Sequence, residues 1–199
     1  MGQEKPCRAT PVSPEQVFVA MGAAWQLLTG QVPDRKIIHI LHAQSALETG
    51  HWRSIMNYNL GGAKKHGDCD WTFFTTTERF QDAVAQKYVA SSKPGEVTVL
   101  KQGDGWTTLR FSGKQSMNCF ASWDDLDSAA KDHLALLFRR FPKAVDAAKK
   151  GDPVGYVREL KRAGYFTASE DEYAKMVTSI AKSYERKLAD VQLPSVVML

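Results

Sequence analysis

The sequence has few cysteines, no long apolar run and no dense cluster of charge of one sign. Its three cysteines, Cys7, Cys69 and Cys119, lack the spacing of a zinc site. No apolar stretch reaches the length that a membrane-spanning helix needs. The net charge is only +4 and the basic residues are dispersed, whereas nucleic-acid binding requires a dense basic patch. The sequence therefore predicts no membrane span, no nucleic-acid partner, and no metal or other cofactor.

The remaining composition is that of a globular protein. The chain has 199 residues, of which 43% are hydrophobic and 24% charged. These values suit one domain with a sizeable core. The mild positive charge suits work near an anionic polymer. We expect a disordered leader over residues 1–12, one domain over 13–190 and an apolar tail over 191–199. We also expect a monomer.

Helical periodicity occupies both ends of the chain. Ser13 begins a capping box with proline at the first helical position, and an apolar stripe follows as far as Gly30. A second apolar helix runs from its N-cap Asp34 to a stop at Gly50. After Trp123 the helical period returns, and the predicted helices are delimited by Pro142, Gly151, Gly164 and a capping box at Ser169.

The middle of the chain has the composition of β-strands. The segment from Trp71 to Glu78 is rich in β-branched and aromatic residues and predicts one strand. Val97–Leu100 and Trp106–Phe111 flank a Gly-Asp-Gly turn and predict a hairpin. A short helix is expected over 81–92. Together these elements define a predicted β-rich lobe of about residues 68–121.

Two cysteines bracket this predicted lobe. Cys69 and Cys119 would clamp it if they formed a disulfide, and would otherwise be two half-buried thiols. The sequence alone favours neither alternative.

The stretch from Gln44 to Lys64 gives the most information about function. It begins as the end of the second apolar helix and then becomes an aromatic loop rich in asparagine and glycine. Glu48 lies in the last helical turn, where the helix dipole opposes a negative charge. Partial burial there would raise its pKa toward the range of a general acid. An exposed glutamate at a helix end is the alternative reading of the carboxylate alone.

The residues of this stretch carry a family resemblance. Gln-Ser-Ala-Leu-Glu-Thr-Gly over 44–50 and Asn-Tyr-Asn-Leu-Gly-Gly-Ala-Lys over 57–64 resemble the glucosaminidase domains of glycoside hydrolase family 73. The resemblance implies an α+β, mainly helical, lysozyme-like fold, with a small β-rich lobe over an active-site cleft. It also implies that Glu48 is the general acid. Two departures are evident, because His51-Trp52 replaces the usual aromatic-glycine pair and Gly61 replaces a phenylalanine or similar residue.

Glycosidases usually use a second carboxyl group. The resemblance assigns it to Glu78, since Thr75-Thr76-Thr77-Glu78 matches the family's threonine-rich strand. About forty residues separate Glu78 from Phe120, where the family often has a brief hairpin, so the register is less secure. Glu96 is the alternative, and Asp68 and Asp70 are weaker candidates.

Further positions match the family's sugar-contacting pattern. Tyr58 and Asn59 follow the acid, and Tyr165 lies in a Gly-Tyr-Phe-Thr segment. Trp71 and Trp123 offer flat faces for stacking on pyranose rings, although packing in the core is the simpler expectation for both. Asp132 matches an acidic position with a structural role. The four histidines at positions 42, 51, 66 and 133 show no triad or ligand pattern, and no role is assigned to them.

The leading hypothesis is therefore an endo-β-N-acetylglucosaminidase that cleaves the β-1,4 bond of the peptidoglycan glycan strand. Two alternatives remain: a lytic transglycosylase or goose-type lysozyme relative, which can work with a single glutamate, and a non-catalytic wall-binding assembly protein. The distance between the two carboxyl groups would distinguish a retaining from an inverting mechanism. The substrate's own N-acetyl group is a further candidate nucleophile, and in that case Glu78 would have a supporting role.

Action on the cell wall implies a periplasmic or extracellular location. The apolar run from Val17 to Leu28 is interrupted by Gln26 and lacks a small-residue cleavage site, so it is not typical of a signal peptide. We expect delivery by a phage, by an effector system, or by a leader absent from this sequence.

Overall fold

The computed structural model describes residues 2–194, and these form an α+β, mainly helical fold. The fold class predicted from the sequence is confirmed. The elements in chain order are α1 (Pro14–Thr29), α2 (Arg35–Glu48), β1 (Asp70–Phe73), β2 (Thr76–Gln81), α3 (Asp82–Ser91), β3 (Val97–Gly103), β4 (Trp106–Phe111), a short 3-10 helix (Ser116–Asn118), β5 (Cys119–Ser122), α4 (Leu126–Arg140), α5 (Pro142–Lys149), α6 (Pro153–Arg162) and α7 (Glu170–Lys187).

The chain forms two compact units. The helical unit comprises Ala9–Gly62 and Trp123–Leu199, and the β unit comprises Met1–Arg8 and Ala63–Ser122. In the helical unit, α2 is buried along ten consecutive residues, from Ile37 to Ala46. It packs against α1, α5 and α7. A helix that is buried all round forms the centre of a core, so the helical unit is built around α2.

The predicted helix starts are confirmed by capping contacts. The Ser13 hydroxyl accepts from the Gln16 N–H, and the Gln16 side chain accepts from the Ser13 N–H at 2.8 Å. The Asp34 carboxylate accepts from the Lys36 N–H at 2.8 Å. Ser169 caps α7 in the same way. These contacts satisfy backbone donors that a helix leaves free at its N-terminus.

The β unit contains two separate antiparallel sheets. β1 pairs with β5, and β4 lies between β2 and β3. The single strand predicted from Trp71 to Glu78 is therefore wrong: the chain leaves one sheet at Phe73 and enters the other at Thr76. Composition could not reveal the break, because β-branched and aromatic residues continue through both strands and only their pairing partners differ.

The predicted hairpin and helix in the β unit are confirmed. β3 and β4 are joined at Asp104-Gly105, where both residues have positive φ, 58° and 77°. This is the conformation that two-residue hairpin turns require. The helix α3 covers the sheet, and Ala85, Leu109 and Phe111 are its buried core. Cys69 and Cys119 are free thiols of intermediate exposure, so the alternative of a disulfide is not realised.

The first residues have backbone partners, although disorder was expected over 1–12. The Lys5 N–H donates to the Trp71 carbonyl at 2.7 Å, and the Trp71 N–H donates to the Gln3 carbonyl at 3.0 Å. At the other end, Val191 and Leu193 pack half-buried against the helical core. The remainder of the expected apolar tail, 195–199, lies outside the described residues.

Between residues 2 and 194, no helix is both long enough and apolar enough to cross a membrane. The same residues contain no group of three or more histidine, cysteine, aspartate or glutamate side chains arranged to hold a metal ion.

The turn that follows α2 is left-handed for three residues. Gly50, His51 and Trp52 have φ values of 57°, 59° and 58°. The Trp52 ring is nevertheless completely buried, and its Nε1–H donates to the Ser45 hydroxyl at 2.9 Å. That hydroxyl donates in turn to the Leu60 carbonyl. Ser45 thus ties the helix, the turn and the following loop together.

Replacement of Ser45 by alanine should destabilise the protein by about 1–3 kcal/mol, because it leaves a buried indole N–H and a buried carbonyl without partners. Urea unfolding followed by far-UV circular dichroism measures this change. Ser54 is exposed in the same loop, and its replacement by alanine should change the unfolding free energy by less than about 0.5 kcal/mol. Equal effects of the two substitutions would contradict the role given to Ser45.

Candidate active site

Glu48 is the last residue of α2, and its carboxylate is contacted by a side chain of α7. The Tyr173 hydroxyl donates a hydrogen bond to Glu48 Oε1. Glu48 is exposed as a residue, so the partial burial expected from the sequence is wrong. The reason is its place in the last turn, where the helix leaves the core while its side chain still reaches Tyr173. The carboxylate is therefore both fixed and accessible.

The negative charge of Glu48 affects the pKa values of three tyrosines. Burial raises the pKa values of Tyr156, Tyr165 and Tyr173 well above their usual range, and the negative charge of Glu48 raises them further. All three therefore remain phenols at any working pH. Tyr173 therefore keeps its hydroxyl proton, which it donates to Glu48.

A layer of polar side chains lies behind Glu48. Gln44 is fully buried one turn earlier on α2, and its amide donates to the Tyr165 hydroxyl at 2.7 Å. The Tyr173 ring stacks on Phe166 with centroids 4.0 Å apart. Tyr165 and Tyr173 thus both direct their hydroxyls toward α2. The predicted contact of Tyr165 with sugar stays a prediction.

The loop after α2 makes a close approach to α4. A Cβ built on Gly61 would lie 2.7 Å from His133 Cε1 and 2.9 Å from its Nδ1. His133 is 5% exposed, and burial lowers its pKa to about 4. The ring is therefore neutral near pH 7. His133 occupies the space that a side chain at position 61 would need, which explains the glycine where the family usually has a larger residue.

The predicted sugar contacts Tyr58 and Asn59 are in this loop. Tyr58 has a φ of 55°, is half-buried, and its N–H donates to the Thr10 hydroxyl at 2.7 Å. Asn59 is 4% exposed, and its side-chain oxygen accepts from the Gly61 N–H at 3.4 Å. The buried Asn59 shapes the loop, whereas Tyr58 retains an accessible side chain.

Glu78 lies in the β unit, on β2, opposite Leu109. It is exposed, and its carboxylate makes no hydrogen bond or ion pair with the residues that the structure describes. Its negative charge reaches Lys64, where it partly opposes the lowering of the pKa by desolvation. The Lys64 ammonium also donates to the Met117 carbonyl and lies 3.6 Å from the centroid of the Phe120 ring. Glu78 is thus a free carboxylate beside a fixed cation.

The alternative acids are differently placed. The Glu96 carboxylate accepts from the Lys93 N–H at 3.0 Å and closes a turn. Asp70 pairs with Lys5 at 3.1 Å and accepts from the Gln3 N–H at 2.8 Å. Asp68 is exposed. Because Glu96 and Asp70 already have local structural partners, Glu78 remains the better candidate for a second carboxylate.

Both tryptophans that were predicted to stack on sugar rings make contacts within the protein. The Lys65 ammonium lies 3.1 Å from the centroid of the Trp71 ring and covers one face. Trp123 packs half-buried against the helical core. Its backbone N–H donates to the Asn57 carbonyl at 3.1 Å. Asp132 is half-buried on α4.

Sequence reasoning missed three residues of the site: Tyr173, Gln44 and His133. The spacing of Tyr173 in α7 indicates only a buried position on the helix, and the sequence assigns no role to His133. Helical spacing shows which side of a helix is buried, but it does not show where a hydroxyl or an imidazole points. The only signal available was that a buried tyrosine or histidine needs a polar partner.

Comparisons with known proteins identify the family of the chain. The sequence model of the family described as mannosyl-glycoprotein endo-β-N-acetylglucosaminidase matches residues 35–186. The peptidoglycan hydrolase FlgJ of Pseudomonas aeruginosa is 26% identical over 147 residues, which cover 73% of this chain and 31% of that protein. The chain therefore spans about a third of the length of this curated relative.

Two solved structures are similar to the chain. The glycoside hydrolase domain of FlgJ from Salmonella typhimurium has a TM-score of 0.45 and 20% identity, with 90% of this chain and 93% of that chain covered. The catalytic domain of the autolysin Auto from Listeria monocytogenes has a TM-score of 0.47 and 17% identity, with 93% and 91% covered.

The family match covers most of the chain, including α2, its loop and α7. The chain belongs to the glucosaminidase family, a class of glycoside hydrolases. The family resemblance predicted from residues 44–64 is confirmed.

Introduction of a methyl group at position 61 should disturb the site without touching Glu48. Gly61→Ala would place a Cβ against the buried His133 ring, and overpacking of this kind costs about 1–3 kcal/mol. Gly103 also has no positive φ, and a Cβ there would meet nothing within 4 Å, so Gly103→Ala is the matched control. Chemical denaturation should show a loss for the first variant only, and a neutral Gly61→Ala would refute the close contact.

Proposed function

We propose that this protein is an endo-β-N-acetylglucosaminidase that cleaves the β-1,4 bond after N-acetylglucosamine in peptidoglycan. The family assignment supports the glycosidase chemistry, and the similarity to a peptidoglycan hydrolase supports the polymer. The mildly positive chain suits an anionic wall. The place of action is the cell wall.

The observation that carries the proposal is the hydrogen bond from Tyr173 to Glu48 Oε1. This hydrogen bond holds the carboxyl group of Glu48 in place at the end of α2. Glu48 is exposed, so its carboxyl group is available to a polymer. General acid catalysis requires a carboxyl group that is both positioned and accessible.

The second carboxylate in the proposal is Glu78. It would activate water or stabilise the oxocarbenium-like transition state as the leaving group departs. Glu78 is exposed on β2, so its carboxylate is accessible to a polymer, as either role needs.

Digestion of purified peptidoglycan tests these roles. Wild type, Glu48→Gln, Glu78→Gln and Glu96→Gln are compared, and the borohydride-reduced fragments are identified by mass spectrometry. Wild type should leave reduced N-acetylglucosamine at the new ends. Loss of the general acid should lower the rate by about 10²–10⁴-fold. Glu78→Gln should also be strongly impaired, whereas Glu96→Gln should retain activity.

Each other outcome of this digestion contradicts one part of the proposal. Reduced N-acetylmuramic acid would change the bond that is cleaved. Anhydro-sugar ends with an active Glu78→Gln would indicate a lytic transglycosylase. An inactive Glu96→Gln beside an active Glu78→Gln would move the second carboxylate. Wild type that binds sacculi and releases nothing would refute the enzymatic function.

Removal of the Tyr173 hydroxyl should weaken catalysis without removing the acid. Tyr173→Phe deletes one hydrogen bond to a charged group, so kcat should fall by roughly tenfold or more, equivalent to about 1.4 kcal/mol, with little change in KM. Tyr184→Phe is the control, because it deletes the contact between a tyrosine hydroxyl on the same helix and His51, at 2.7 Å. Equal kcat values for the two variants would show that Tyr173 does not position Glu48.

A further inference from the structure

A cavity of about 250 Å³ opens in the helical unit, toward the N-terminal end of α2 and away from Glu48. His39, in its wall, lies nine residues before Glu48, which is roughly 13 Å along the helix axis. Nothing in the proposed glycosidase chemistry uses this cavity. Its walls come from α2, from the start of α6 and from α7, and the chemically distinctive residues that line it are Lys36, His39, Thr178, Lys182 and Glu185.

The cavity wall contains a buried imidazole without a partner. His39 is 4% exposed, and neither ring nitrogen has a hydrogen-bond partner among the residues described. The ring is fixed, because it stacks on Phe18 with centroids 4.7 Å apart. The Thr178 hydroxyl beside it is also buried and unpartnered. Buried polar groups are nearly always satisfied, so these atoms are suited to meet the polar groups of a ligand.

The imidazole is neutral near pH 7. Burial lowers the pKa of His39, the positive charge of Arg35 lowers it further, and Glu185 partly opposes both. A neutral ring offers one donor and one acceptor. His39 can therefore contact either a carboxylate or an N–H group of a bound molecule.

Charged side chains of both signs stand at the edge of the cavity. Lys36 and Lys182 are exposed, as is Glu185, and none of the three makes an ion pair within residues 2–194. The Lys36 stem lies against Gly151, since a Cβ on that glycine would be 3.6 Å from Lys36 Cδ. Thr178, Lys182 and Glu185 follow one another at intervals of four and three residues, so they share one face of α7.

The size of the cavity limits its occupant. Sites for drug-sized molecules span about 300–1,000 Å³, and this cavity is smaller, at about 250 Å³. A glycan strand of several sugar rings does not fit. A molecule with the dimensions of an amino acid or a dipeptide does, and such a molecule carries the two opposite charges that the edge of the cavity complements.

We propose that this cavity binds a short zwitterionic peptide of the size of a dipeptide, with both of its ends free. The carboxylate would lie between the Lys36 and Lys182 ammonium groups, the amine would contact Glu185, and His39 and Thr178 would contact the peptide group.

Binding is tested without any cleavage reaction. The probe is alanyl-alanine, as the L,L and D,D isomers, titrated into the ¹⁵N-labelled full chain carrying Glu48→Gln and followed by NMR. We expect saturable shifts at the cavity residues, with a Kd on the order of 1 mM for the preferred isomer. The His39 ring nitrogens should shift as well, a signature that non-specific surface binding would not produce.

Modified dipeptides and substitutions in the protein test each proposed contact separately. N-acetyl-alanyl-alanine lacks the ammonium group, and alanyl-alanine amide lacks the carboxylate, so each should bind at least about fivefold more weakly. Lys36→Ala and Lys182→Ala should each weaken binding of the unmodified dipeptide about tenfold. Lys175→Ala, an exposed position on α7 that does not line the cavity, should leave the affinity unchanged.

The outcomes distinguish this inference from the proposed function. Absence of saturable shifts, or shifts that Lys36→Ala and Lys182→Ala leave unchanged, would overturn the cavity site even if the enzyme cleaves glycan. Dipeptide binding by a protein that releases no sugar would support the site and refute only the proposed function.

Discussion

The burial of Trp52 behind the end of α2 is the constraint on which the site depends. Its ring fills the core beneath a left-handed turn, and its indole N–H reaches the Ser45 hydroxyl. Residues other than glycine pay a conformational cost for positive φ. A tryptophan in this conformation is stable only because burial of so large a ring stabilises the fold by more than the turn costs. Glu48 is four residues away and takes its position from the same turn.

This constraint explains the two departures from the family pattern. Where the family usually has glycine after an aromatic residue, Trp52 accepts the strained backbone and supplies core volume. Where the family usually has a larger side chain, Gly61 leaves room for His133.

The sequence predicted the helices well, because each has a local start signal, such as Ser13 or Asp34, that acts within one turn of the chain. It also located Glu48, since the acid lies within one short motif. It did not predict the break between β1 and β2, which depends on distant pairing partners. Nor did it find the contact of Tyr173 with Glu48, which joins residues 125 positions apart. Local patterns encode local structure, and the site is largely non-local.

The apolar core between α3 and the three-stranded sheet of the β unit consists of Ala85, Leu109 and Phe111, whereas the core of the helical unit contains dozens of buried apolar side chains. Opening free energy follows buried apolar contact, so segments with few such contacts unfold locally first. Amide hydrogen exchange should therefore be fastest in the β unit. Glu78 is carried by this unit and Glu48 by the other, so warming would disorder one carboxylate while the other still sits on an intact helix. With Glu78 as the proposed second carboxylate, thermal inactivation would then precede global melting.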